Sequence, residues 1–221
     1  MAVATGCQSR QSTYFPLDAG MEWRYALRVV TMNGASSKKF LIANLPAITQ
    51  NETKMVPRRT ATGETTFYAA LGSGIQRLGE YAPGGEIDVY PTAQTILPSA
   101  LVPGATWQSN TRTAVLEVTS HAAGALYRIE VDVPLTATVD AIDDSIAVPA
   151  GTFTHCLRVH AVGITHADVR KLEGMAEIRV ETTEWYAPDV GLVKVVRRET
   201  TSSSALPAGE YEMQLEALTR Q

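Results

Sequence analysis

The groups in this chain that could do chemistry are few: four His, two Cys and 23 Asp+Glu. A zinc centre needs three or four ligands converging on one point. His155 and His160 sit an odd number of residues apart, which puts them on opposite faces of a strand. His166 has no acidic partner at ligand spacing, and His121 stands alone, so no metal is expected. The cluster Asp140-Ala-Ile-Asp143-Asp144 lacks the alternating oxygen ligands and central Gly of a calcium loop and reads as a solvated bend. Cys156 adjoins His155, but strand neighbours point apart, so the pair does not form a nucleophile and base. Cys156 reads instead as a small buried side chain, and a disulfide between Cys7 and Cys156 is not expected. The chain contains no Gly-x-Ser-x-Gly elbow, phosphate-binding loop or dinucleotide fingerprint. Glu181 and Glu184 would do acid–base work only if burial perturbed them. The expectation is a non-enzymatic chain with no catalytic residue and no cofactor. Trp23, Trp107, Trp185 and Tyr186 are the candidates for a binding surface. Their large apolar bodies, each with one polar handle, suit either the core at a barrel end or a ring-lined ligand or partner surface.

The elements that must position these residues are strands. In Met21–Val29 the odd positions Met21, Trp23, Tyr25, Leu27 and Val29 are apolar, while Glu22, Arg24 and Arg28 are charged. That alternation gives one greasy and one wet face. Leu126–Leu135 and Tyr211–Leu215 repeat it. Further strands are expected at Lys38–Asn44, Lys54–Thr60, Thr65–Leu71, Ile75–Tyr81, Ile87–Tyr90, Thr111–Thr119, Ser145–Val148, Thr152–Ile164, Met175–Tyr186 and Leu192–Thr200. Turn signals such as Asn33-Gly34, Gly72-Ser-Gly74 and Pro149-Ala-Gly151 separate them. Thr165–Met175 reads as a short helix or a loop. The fold class is all-β: a curved antiparallel sheet, half-barrel or barrel. Leu17-Asp-Ala-Gly20-Met-Glu-Trp23 and Leu101-Val-Pro-Gly104-Ala-Thr-Trp107 share the pattern Leu-x-x-Gly-x-x-Trp. Two duplicated β-units, starting near residues 17 and 101, would explain it.

Composition fixes the broad class. At 221 residues, 45 % hydrophobic and 19 % charged, the chain is long and apolar enough for a folded core. A formal charge of -4 excludes the basic stripe of a nucleic-acid binder. The longest uncharged run, Val89–Thr111, is broken by Pro91, Pro98 and Pro103 and cannot be a membrane helix.

Ala4-Thr5-Gly6-Cys7 resembles the end of a bacterial lipoprotein signal, in which small residues precede a Cys that becomes lipidated. Ala4 stands where Leu is usual. Six residues are too few for the charged and apolar regions of such a signal. A misplaced start, a trimmed chain and an accidental match are the three explanations. Residues 1–13 are therefore read as a signal remnant and polar tether, and 14–221 as a single antiparallel β domain. Three further segments are Tyr14-Phe-Pro-Leu-Asp-Ala-Gly-Met-Glu-Trp-Arg-Tyr25, Val148-Pro-Ala-Gly-Thr-Phe-Thr-His-Cys-Leu-Arg-Val159 and Thr183-Glu-Trp-Tyr-Ala-Pro-Asp-Val-Gly-Leu-Val-Lys194. Together they resemble an uncharacterised group of bacterial envelope lipoproteins. The resemblance implies secretion and a mainly antiparallel fold, and no catalytic residue. The expected function is a lipid-anchored binding or assembly module, held at the membrane through Cys7 on the periplasmic or surface side of the outer membrane, with other envelope proteins as partners. The alternative is a carrier of an apolar or lipid-like ligand in a β half-barrel.

Overall fold

The computed structural model describes residues 13–31, 33–50, 52–120, 125–128, 130–169, 174–204, 206 and 208–221. Cys7 and His121 lie outside them. Alternation of apolar and polar residues produces fifteen strands and, among the described residues, no helix. The first seven are β1 (Met21–Thr31), β2 (Gly34–Asn44), β3 (Ile48–Gln50), β4 (Thr53–Thr60), β5 (Thr65–Leu71), β6 (Gly74–Tyr81) and β7 (Ile87–Pro98). Then come β8 (Thr106–Arg112), β9 (Glu117–Ser120), β10 (Ala125–Arg128) and β11 (Asp132–Val148). The last four are β12 (Gly151–Val169), β13 (Gly174–Ala187), β14 (Gly191–Thr201) and β15 (Gly209–Arg220).

Twelve strands form one antiparallel path, β7-β6-β5-β4-β2-β1-β15-β14-β13-β12-β11-β8, with β3 added beside β4. β9 and β10 form a separate hairpin. The path divides into two meanders of six strands. One runs from β1 to β7 and the other from β8 to β15. They join where β1 pairs with β15, for instance Tyr25 opposite Leu215. At the other side β7 and β8, consecutive in the chain, lie next to each other without a hydrogen-bonded ladder. The sheet is thus nearly closed into a barrel with one unsealed seam. Each Leu-x-x-Gly-x-x-Trp pattern opens one meander. Gly20 (φ 78°) and Gly104 (φ 85°) take the left-handed turn that only glycine adopts cheaply, just before β1 and β8.

The inward rows make the core. Leu116, Val133, Leu157, Ile178 and Val180 are wholly buried in one cluster, while Met21, Trp23, Cys156, Val193 and Leu215 anchor a second. Segment 13–20 crosses one end of the barrel. It bonds to the β13–β14 turn through Asp189 N–H to Thr13 O, and to β2 through Gly20 N–H to Asn44 O. It also inserts Phe15 against Tyr68 with ring centroids 5.0 Å apart.

Several expectations are corrected. Thr165–Met175 is neither helix nor loop where it is described. β12 runs through to Val169 and β13 begins at Gly174, because His166, Ala167 and Asp168 pair with Glu177, Ala176 and Met175. The acidic cluster Asp140–Asp144 lies within β11 rather than in a bend, although its pairing with β12 slips at three places. These slips reset the alternation, so Cys156 and Leu157 are both buried, while His155 (φ 55°) is exposed. The expected strand Ile87–Tyr90 continues through Pro91 to Pro98, which an edge strand tolerates because one row of its donors has no partner strand. The expected strand Thr111–Thr119 breaks after Arg112. There the N–H groups of Ala114 and Val115 bond to the Glu199 carboxylate at 2.8 and 3.1 Å instead of to a neighbouring strand. Leu126–Leu135 divides into β10 and β11.

Candidate functional site

The barrel is not solid. A half-open cavity of about 270 Å³ lies inside it, walled by rings from both meanders: Phe15, Trp23, Tyr25, Tyr68, Trp107 and Tyr186. Leu135, Ala137, Val159 and Ala161 make an aliphatic wall, and Arg58, Glu184 and Arg197 bring ionisable groups into the cavity. The cavity reaches the seam, since Ile96 of β7 and Ser109, Asn110 and Thr111 of β8 also line it. A second hollow of about 270 Å³, polar and bordered by Arg77, Tyr90 and Arg112, runs along the seam and shares Asn110 and Thr111 with the first. Both hollows thus border the seam.

Three of the rings, Trp23, Tyr25 and Tyr186, are held by their polar ends. Trp23, buried on β1, donates its indole N–H to Val190 O at 2.7 Å, and the Tyr25 hydroxyl donates to Leu192 O at 2.8 Å. Both contacts tie β1 to the β13–β14 turn and the start of β14. The Tyr186 hydroxyl donates to the Glu184 carboxylate. Burial pushes the Glu184 carboxyl up from its ordinary value, with Tyr186 and Arg197 opposing that rise only in part. Burial and the neighbouring Glu184 raise the Tyr186 hydroxyl far above the ordinary phenol value.

Two arginines enter the interior in different ways. Arg197 is paired: its Nε donates to Glu199 at 2.7 Å, Nη1 to Thr111 Oγ1 at 2.7 Å and Nη2 to Arg112 O at 2.6 Å. Among the described residues Arg58 has no such carboxylate. Its Nε donates to Asn44 Oδ1 at 2.8 Å and Nη2 to Pro16 O at 2.9 Å. Its guanidinium lies 4.1 Å from the Phe15 ring centroid and 4.6 Å from that of Trp23. Burial lowers the Arg58 pKa, and the side chain nevertheless stays a cation at neutral pH.

Of the candidate binding residues, Trp23, Trp107 and Tyr186 meet at the cavity, and Trp185 does not. Trp185 points the other way, donating to Asp144 Oδ2 at 3.0 Å with Lys194 Nζ 5.9 Å from its ring centroid. Asp144 also takes Arg158 at 2.9 Å. Burial raises the Asp144 pKa, but the Ser145 N–H, Trp185 and Arg158 outweigh it and hold the carboxyl below its usual range. The described histidines His155 and His160 have separate partners. His155 pairs with Asp143 at 2.5 Å on the exposed surface, whereas His160 neighbours Thr183. Among the described residues no three His, Cys, Asp or Glu side chains group as metal ligands. Burial pushes the Cys156 thiol up to about 11, which makes it inert as a nucleophile at neutral pH.

Sequence reasoning missed Phe15, Arg58, Tyr68 and the Arg197–Glu199 pair. The signal for the last was present. Val193, Val195, Arg197 and Glu199 occupy one parity, and the first two of them are plainly core residues.

No protein-family model matches the chain, and no curated protein matches it. Among solved structures it is similar to a "putative lipoprotein" from Parabacteroides distasonis ATCC 8503, with a TM-score of 0.44 and 16% identity over 96% of this chain and 100% of that one. It is also similar to a "putative exported protein with YmcC-like fold" from Bacteroides fragilis NCTC 9343, with a TM-score of 0.43 and 13% identity over 95% of this chain and 100% of that one.

Proposed function

We propose that this chain is a non-enzymatic binding protein of the bacterial cell envelope, whose barrel holds a small, largely apolar ligand admitted through the β7–β8 seam. One observation carries the reading: beside the packed core the barrel keeps a ring-lined cavity of about 270 Å³ that reaches the unpaired seam. At about 30 Å³ per water-sized group, such a space takes on the order of nine heavy atoms. Titration calorimetry with 1-octanol tests it. The native chain binds, and Ala161→Phe, which puts a ring into the aliphatic wall, abolishes binding while the fold persists. Unchanged affinity in Ala161→Phe would contradict the reading.

Envelope location rests on Ala4-Thr5-Gly6-Cys7 and on the three segments that resemble envelope lipoproteins. In this reading Cys7 carries the lipid, and the polar stretch Gln8–Thr13 tethers the barrel to the membrane surface. Mass spectrometry of the protein from its own cells then finds an acylated Cys7; an unmodified thiol there contradicts the anchor.

A second reading, as an assembly module for other envelope proteins, is favoured by the missing ladder between β7 and β8, because unpaired strand edges accept an extended segment of a partner. Isolation from native membranes in a stoichiometric complex supports it, and a strict monomer counts against it.

A further inference from the structure

Arg58 is the one cavity-lining group whose charge the described protein does not balance. A guanidinium carries five N–H donors. Asn44 Oδ1 and Pro16 O take two of them. The groups that act on its charge are the hydroxyls of Tyr68, Tyr25 and Tyr186, and no carboxylate is among them. Arg197, in contrast, has Glu199 against it. Among the described residues the one carboxyl group lining the cavity is Glu184, and the Tyr186 hydroxyl, not Arg58, donates to it. A lone cation in such a place is costly to desolvate unless an anion joins it.

The surroundings of Arg58 orient it. Phe15 and Trp23 lie 4.1 and 4.6 Å from the guanidinium carbon, and Tyr68 lies 5.3 Å away. These rings and the Asn44 and Pro16 bonds fix the plane, which leaves the remaining donors as a preformed fork. Asn44 is itself locked, its Nδ2 donating to Pro16 O at 3.1 Å and to Asp18 O at 3.0 Å. The aliphatic wall of Leu135, Ala137, Val159 and Ala161 lines the same cavity.

Resting on the reading of the barrel as a ligand holder, we propose that its ligand is an amphipathic organic monoanion. Its carboxylate meets the free donors of Arg58, and its short apolar body lies along the Leu135–Ala161 wall. A purely structural Arg58, clamping Pro16 O and stacking on rings, would give no preference for charge in the ligand.

Three compounds with the same eight-carbon chain separate these outcomes: octanoate, 1-octanol and octylammonium, titrated at pH 7 and low salt with calorimetric readout. The expected order is octanoate tighter than 1-octanol by at least about tenfold, as a charge-assisted hydrogen bond supplies, with octylammonium weakest. Arg58→Gln abolishes the preference, so that octanoate no longer binds more tightly than 1-octanol in that variant. Should Arg58→Gln not fold, as judged by circular dichroism, the ligand series on the native chain still decides. Equal affinities for octanoate and 1-octanol overturn the proposal while the ligand-holding function stands. Binding of none of the three overturns that function and the proposal with it.

Discussion

At the scale of single residues, what sets this barrel apart is polar chemistry turned inward. Glu184 is the clearest case. Its carboxyl pKa is raised by burial, so the folded state holds a proton that the unfolded chain has released. Stability therefore falls as pH rises from the unfolded glutamate value near 4.5 toward the raised folded value. Glu184→Gln removes that term and keeps an acceptor for Tyr186. The variant's thermal midpoint gains on the native chain as pH rises from about 4 to 8, and a constant difference between the two across that range would refute the assignment. Asp144 carries the opposite sign: its lowered pKa gives stability that is present at neutral pH and lost on acidification. The two acids sit on opposite sides of one sheet, and their environments rather than their residue types decide the direction.

At the scale of elements, the Arg197–Glu199 pair is a brace across the interior. Its side chains are 6% and 0% exposed, and together they hold the chain from Thr111 to Val115 against β14. Glu199→Ala leaves a buried cation and two unpaired N–H groups, and is expected to cost about 3–5 kcal/mol in urea unfolding. The double variant Arg197→Met with Glu199→Leu is expected to cost less than Glu199→Ala alone, and an additive loss would contradict the buried-pair account. The sequence showed most of the strands because period-2 alternation is a local property. Met21, Trp23 and Tyr25 are buried as their spacing requires, and Thr65–Leu71 is a strand over those residues. What alternation could not show is where a long-range contact overrides it. The chain leaves the sheet after Arg112 because Glu199, distant in sequence, captures its N–H groups. Cys156 and Leu157 are both buried because β11 slips against β12. Arg58 looked like an ordinary strand charge, since nothing local announces that three aromatic rings surround it.

At the scale of the whole molecule, two six-strand meanders close through β1–β15 and stop short of closing at β7–β8. Gly20 and Gly104 open the two meanders, and Trp23 and Trp107, three residues beyond each, face one cavity from opposite meanders. Trp185, in contrast, was grouped with them by type alone and lies on the other face. The central claim is that the space between these rings is open to a ligand. Crystals of the protein pressurised with xenon test it most directly, because xenon enters apolar cavities of this size without needing a matched shape. The account predicts xenon density between Trp107, Leu135 and Ala161, and its loss in Ala161→Phe. Side chains packed into that volume, with no xenon site inside the barrel, would contradict it.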